Sequence, residues 1–426
     1  MSGAARDLLT EMIRIPSFTA VHPDAPSNAE EMAGKVLDIV AAEAAVSKAV
    51  NIRRMKFNTI DNLLVQWESS AVLPGHTRKL LVIAHIDVVP VDQDQWSVDP
   101  FGAVIKDGYL YGRGAVDMKG PLAAFMISMR NLAARYAGYD VDLIVTADEE
   151  WDAVDGTKRV MEAMKAEGMR KPDAVLVIEP SADVKFGNKA AIGRRGSLNG
   201  RIHIGGKEGH AAGTTFVNQT KTLAKVLRGL QRIVFKDNPG FFDKVLRFVR
   251  REKGGNSQTW LAKTNLEVTY YQSDGKRNSS TVPAGVTVYW NIRYTGTYTA
   301  EQLDAMVKAA VMRYSTNDNP ITVVSNLSSA SNPYHGYPGA LLEVIRQVVR
   351  EQLGLDIDVT QGGGTSDGRF VETVWGKIEV IEFGPLIATM HQNDECIELA
   401  ELYRMVPAYE AVVERICNPD GVKQAA

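Results

Sequence analysis

The residues best suited to chemistry stand directly after short apolar runs. His85-Ile86-Asp87 follows residues 80–84, Asp148-Glu149-Glu150 follows 141–145, and Glu179-Pro180 follows 174–178. A fourth run, 378–381, leads through Phe383-Gly384-Pro385 to His391. Asp117 has a different setting, a glycine-rich stretch just ahead of a helical pattern. Taken alone, each has an ordinary use. An Asp before a helix caps it, a Glu pair after a strand is solvated, and a single His makes a hydrogen bond. Together they set two imidazoles and several carboxylates at one edge of one sheet, because the carboxyl ends of parallel strands are where α/β folds gather their ligands.

A nitrogen and oxygen donor set of this kind suits zinc, with Co2+ or Mn2+ as substitutes. Charge counting favours a pair of ions. Two divalent ions bring four positive charges against three negative ones on Asp117, Glu150 and Glu179, and a bridging hydroxide completes neutrality. One carboxylate then bridges ions about 3.5–4 Å apart, and the metal lowers the pKa of bound water to about 7.

The elements that must position these groups are legible as well. Short, β-branched, apolar runs read as strands covered on both faces, and helical stretches at 122–136 and 156–167 alternate with them. The expected class is α/β with a mainly parallel central sheet. Leu8, Leu9, Met12 and Ile13 recur at helical spacing, and a second helix is expected over 28–45. The middle reads differently. Residues 200–204, 266–271 and 286–294 alternate like half-buried strands, joined by helical patterns at 221–234 and 300–314 and closed by 321–325. The order β-α-β-β-α-β predicts an inserted α+β ferredoxin-like module. Residues 236–263 fit neither helix nor strand. The expected organisation is a catalytic domain over 1–193 and 327–426, interrupted by a lid or dimerisation domain over 194–326.

The chain has 426 residues, 45% hydrophobic and 23% charged, more than a single core usually fills. Net charge is -3 without a basic stripe, which argues against nucleic acid and anionic membranes as partners. Cys396 and Cys417 are too few for a disulfide framework. The first residues run into a helix without the features of a secretion signal, and no apolar run spans a bilayer. The expected compartment is the cytoplasm.

The segments Ala84-His85-Ile86-Asp87-Val88-Val89-Pro90, Gly112-Arg113-Gly114, Asp117-Met118-Lys119-Gly120, Asp148-Glu149-Glu150 and Glu179-Pro180 resemble the M20 family of zinc peptidases and deacylases. The resemblance implies two zinc ions per subunit. It puts His85, Asp117 and Glu179 on one ion and Asp117, Glu150 and His391 on the other, with Asp117 as the bridge. It implies Glu149 as general base and Asp87 as the acceptor that orients the His85 ring. His210 of the inserted domain would reach across a homodimer to polarise the scissile carbonyl. The implied activity is cleavage of the amide bond of an N-acyl amino acid or short peptide that carries a carboxylate.

Two further segments, 193–198 and 363–370, lean towards the succinyl-diaminopimelate desuccinylase branch of the family, as does the run from Phe383 to Cys396. Arg194 and Arg293 offer forked pairing to substrate carboxylates, and Thr365 and Ser366 offer a cradle for another. An inter-domain salt bridge is an equal use for the arginines. Ile387, Gly213-Thr214 and Ser280-Thr281-Val282-Pro283 depart from that branch, which has Asn, Tyr and Asn-Val-Ile-Pro there. These positions belong to the substrate shell, so dipeptidase, carboxypeptidase and acetylornithine deacetylase activities stay open. A catalytically silent binding protein on the same fold would lack a ligand or the base, and neither is missing. Gly112-x-Gly114 is an incomplete nucleotide fingerprint, since Asp117 stands where the last glycine is needed. His22, His76, His203 and His335 read as structural or surface residues.

Overall fold

Every residue of the strands Leu80–His85 and Val141–Thr146 is buried. Successive side chains of a strand face opposite sides, so the sheet is covered on both faces here. In the computed structural model, which describes residues 2–18, 29–47, 50–67, 78–135, 139–150, 153–237, 263–275, 279–327, 330–362 and 364–418, the sheet order runs Val50–Phe57, Ile60–Trp67, Val141–Thr146, Leu80–His85, Ala174–Val177, Glu379–Glu382, Lys189–Arg194. His22, His76 and most of the 236–263 stretch lie outside the described residues.

The centre of the sheet is parallel: Leu80–His85 lies between Val141–Thr146 and Ala174–Val177, and Glu379–Glu382 joins the far side of Ala174–Val177. Its flanks are antiparallel. One flank is a hairpin, Val50–Phe57 with Ile60–Trp67, that the sequence hid. Its outer strand is half-exposed and carries Arg53, Arg54 and Lys56, so no apolar alternation marks it. Asn58 closes the turn in the left-handed region at φ 48°, which asparagine tolerates better than most residues.

Register delivers the chemistry to one edge. Ile83 pairs with Val177, so two residues further on His85 and Glu179 leave the sheet side by side. His85 itself pairs with Thr146, and Asp148, Glu149 and Glu150 follow. Helix Lys119–Arg135 begins two residues after Asp117 and packs against Ser2–Ile13 and Leu399–Cys417. Its first residue is buried: Lys119 Nζ donates to the carbonyls of Met12 and Ile15, both at 3.0 Å. Those bonds tie the first helix to the Asp117 loop.

The chain divides into two compact units. One comprises residues 1–193, 335–360 and 366–426, and the other 194–334 and 361–365. The second unit holds a four-stranded antiparallel sheet in the order Asn265–Ser273, Gly285–Tyr294, Gly196–Gly205, Ile321–Ser325. With helices Thr220–Gln231 and Ala300–Val311 between strands, this is the ferredoxin-like β-α-β-β-α-β arrangement. Thr299 and Gln302 form a reciprocal capping box at the start of the later helix. One sheet face buries Leu198, Ile202, Val288, Trp290 and Ile292 against Val226, Leu230, Leu303 and Val307.

Among the described residues no helix is long and apolar enough to cross a membrane. Trp290 is the largest fully buried side chain of the second unit's core. Trp290→Ala should therefore cost about 3–5 kcal/mol. A lowered urea midpoint of the full chain, followed by far-UV circular dichroism, checks this; an unchanged midpoint contradicts it.

Candidate metal centre

The first unit brings His85, Asp87, Asp117, Glu149, Glu150, Glu179 and His391 together. The centre is built around Asp117. Its Oδ1 lies 3.1 Å from His85 Nε2, and its Oδ2 lies 3.0 Å from His391 Nε2. Each imidazole nitrogen in turn faces a second carboxylate, His85 towards Glu179 at 3.4 Å and His391 towards Glu150 at 3.0 Å. One ring nitrogen between two carboxylate oxygens of different residues is poor hydrogen-bond geometry for a single proton. It is ordinary geometry for donors around a cation. Two overlapping groups have ligand atoms mutually within 4.8 Å: His85 with Glu149 and Glu179, and His85 with Asp117 and Glu150. The donor set therefore fits divalent ions of the zinc, cobalt or manganese type.

Local structure fixes each donor. His85 ends a buried strand, and its Nδ1 faces the main-chain carbonyl of Asp87 at 2.9 Å, which leaves Nε2 for the centre. The Asp87 carboxylate is further from the ring, at 3.6 Å. It accepts instead from the amides of Glu149, at 3.1 Å, and Glu150, at 2.9 Å. Asp87 thus holds the ring by its backbone and the Glu149-Glu150 turn by its side chain. Glu179 is approached closely by Gly384, where any Cβ would collide with the Glu179 carbonyl oxygen. His391 sits in the left-handed region at φ 61°, a conformation that costs an L-residue about 1 kcal/mol.

Electrostatics explains why the imidazoles are needed. Burial pushes the Glu149 carboxyl well above the ordinary carboxylate range, against the pull of His85, and it raises Glu150 too. Burial raises Asp148 to about 7. Burial also opposes charge on Asp117, but hydrogen bonds from His391 and His85 outweigh it and hold that carboxyl low. The same bonds overcome the burial of His391 and lift it to about 11. Positive charge is thus demanded at both imidazole positions.

Several contributors were not read from the sequence. Glu395 is fully buried, accepts from the amides of Val116 and Asp117, and pairs with Arg113. Arg369 stacks on Phe370 and points Nη1 towards Glu149 Oε1 at 3.9 Å. No local motif announces either residue, since Glu149 is distant in sequence from Arg369, and Arg113, Val116 and Asp117 from Glu395. Ser366, expected at a substrate carboxylate, donates its hydroxyl to buried Glu382.

The other expected residues belong to the second unit. Arg194 is buried and lies along the glycine loop that leads to Thr365, so close that a Cβ on Gly362 or Gly364 would press on it. Arg293 lies on strand Gly285–Tyr294 near Arg195, whose guanidinium is lowered by burial and by that neighbouring charge. His210 is exposed on the short strand Gly209–His210, paired with Thr281–Val282. His203, on the open sheet, meets Thr287 at 3.2 Å.

Residues 81–415 match the peptidase family M20/M25/M40. The chain belongs to this family. M20 relatives include the succinyl-diaminopimelate desuccinylase of Magnetococcus marinus, 32% identical over 376 residues, which are 87% of this chain and 90% of that protein. The desuccinylase of Caulobacter vibrioides is 33% identical over 367 residues, 85% of this chain and 86% of the relative. Among solved structures, human carnosine dipeptidase 1 superposes with a TM-score of 0.78 at 15% identity, covering 97% of each chain. An M20 family metallo-carboxypeptidase from Sulfolobus solfataricus gives 0.75 at 16% identity, covering 96% of this chain and 98% of that one. At those identities the structures show a shared fold. Membership of M20, with desuccinylase-named relatives, makes the chain an amide-bond hydrolase of a metal-dependent family.

Gly384→Ala should displace Glu179 and weaken metal binding about 10- to 100-fold. Metal content after dialysis against graded free zinc measures the effect, and wild-type retention would rule it out.

Proposed function

We propose that this M20 hydrolase is a two-zinc amidohydrolase acting on an N-acyl amino acid or short peptide. The observation that carries the reading is the division of Asp117, one oxygen towards each imidazole. In this reading His85, Asp117 and Glu179 hold one ion, and Asp117, Glu150 and His391 hold the other. Zinc bound there supplies Lewis-acid polarisation of the amide carbonyl and a water made acidic at neutral pH.

The chain's own groups do the rest. Glu149 keeps only 10% of its side chain exposed and is not needed to complete either ligand set, and burial raises its affinity for a proton. It takes the proton of the attacking water and passes it to the leaving amine. Its nearness to His85 and Glu179 also suits a ligand. Metal content separates the two roles. Asp87 keeps the Glu149-Glu150 turn and the His85 ring in mutual register.

On the substrate side, desuccinylase-named relatives near 30% identity support a substrate with carboxylates. Arg194, Arg293 and Thr365 are the groups to receive them. Ile387 favours a second reading. It is 40% exposed, four residues before His391, and presents no hydrogen-bonding side chain, which suits a less polar acyl group or a dipeptide. We further take the enzyme to act as a homodimer through its second unit, with His210 serving the partner's site. The free thiols Cys396 and Cys417 suit the cytoplasm.

Chelation should abolish hydrolysis, and zinc or cobalt should restore it; activity indifferent to metal sinks the proposal. Glu149→Ala should lower kcat by about 10²–10⁴-fold with zinc content unchanged. Lost zinc would instead make Glu149 a ligand. A panel of succinyl-diaminopimelate, acetylornithine, N-acyl amino acids and dipeptides decides the substrate class by kcat/KM.

A further inference from the structure

The two halves of the centre are held by different means. His85 and Glu179 leave neighbouring buried strands in fixed register, and the His85 ring is secured by the Asp87 carbonyl. Neither placement depends on the loop that carries His391. His391 comes from a loop after Glu379–Glu382, is 44% exposed at its side chain and holds a left-handed backbone. Asp117 also lies outside the sheet. Something must register one loop against the other.

We infer that the buried pair Glu395–Arg113 is the positioning device that sets His391 against Asp117, and so governs the His391 side of the metal centre. Glu395 stands four residues after His391 and is fully buried. Its Oε1 accepts from the amides of Val116 at 2.9 Å and Asp117 at 3.1 Å, and its Oε2 accepts from Arg113 Nη1 at 2.6 Å. Its main-chain carbonyl accepts from Gly112 at 2.9 Å. The following strand, Cys396–Glu398, pairs with Tyr109–Tyr111. Arg113 is fixed in turn by the face of Trp96, 5.2 Å from the ring centre. A carboxylate with both oxygens engaged by cation and amides is a strong, directional clamp. Cutting it releases the loop that carries His391, while Asp117, through its Oδ1 towards His85, stays with the strand-borne donors of the first ion. Glu395 and Arg113 act through Asp117 and His391 and touch no reacting atom.

The inference rests on the two-ion reading, and one titration separates them. Metal-free full-length protein is titrated with Co2+, followed by visible absorption and calorimetry, with far-UV circular dichroism as a check on folding. Wild type should take two equivalents. Glu395→Gln keeps the shape but turns an amide group towards one of its donors. It should bind the first equivalent within about twofold of wild type and the second at least about tenfold more weakly. Its kcat should fall without a change in KM and recover with excess Co2+. Equal weakening of both equivalents, or of neither, overturns the inference and leaves the two-ion reading standing. A single equivalent in wild type overturns both. Should Glu395→Gln not fold, Arg113→Lys decides: the same selective loss is expected, and two equivalents of wild-type affinity overturn the inference.

Discussion

Four carboxylates, on Asp117, Glu149, Glu150 and Glu179, gather about His85 in two overlapping groups whose ligand atoms lie within 4.8 Å of one another, and that crowding governs everything around them. Two like charges 4 Å apart repel by about 4 kcal/mol even at an effective dielectric of 20. A few such pairs rival the whole net stability of a domain, about 5–15 kcal/mol. The fold therefore has to bring compensating positive charge to the same place. His85 and His391 do so from opposite sides of Asp117. Divalent ions between these donors relieve the same strain more completely. A site so costly to assemble from protein alone is one whose geometry is finished by its metal.

The supporting residues divide according to what they oppose. Sheet register opposes drift of His85 and Glu179, because strands paired at Ile83 and Val177 cannot slip by one residue without turning every side chain over. The Asp87 carboxylate opposes separation of Glu149 from Glu150 by holding both amides. Gly384 gives the chain room to pass directly over Glu179. Lys119, buried with its ammonium on two carbonyls, joins the first helix to the loop that carries Asp117. None of these groups is a donor to the centre, yet each fixes one.

Much of this was legible because strand ends are marked in sequence. His85, Glu150 and Glu179 each follow a buried apolar run, and parallel pairing brings such positions to one edge. The ferredoxin-like unit was legible for a related reason, since strands covered on one face alternate. The hairpin at residues 50–67 was not, because its outer strand is half-exposed and rich in arginine. Side-chain partnerships were hidden too. Nothing near Ser366 announces that its hydroxyl serves Glu382, and nothing near Arg195 tells that it, as well as Arg194, stands beside a candidate substrate group. Glu395 was visible only as a member of the family-like run from Phe383 to Cys396, with no role of its own. Its work depends on contacts with residues nearly three hundred positions away.

The half-exposed outer strand, Val50–Phe57, has a consequence for the protein in concentrated solution. Among the described residues it borders the large sheet, and a border strand offers backbone groups to any extended segment that drifts past. Arg53 reaches Glu167 at 2.6 Å and Arg54 reaches Asp38 at 2.7 Å, so both side chains are tethered to charged neighbours. Such pairs add little to folding free energy. Their effect is on encounters: a second copy docking strand to strand would have to strip water from a row of guanidinium and ammonium groups, including Lys56. The residues that made this strand hard to read are the ones that discourage the molecule from joining its neighbours into aggregates.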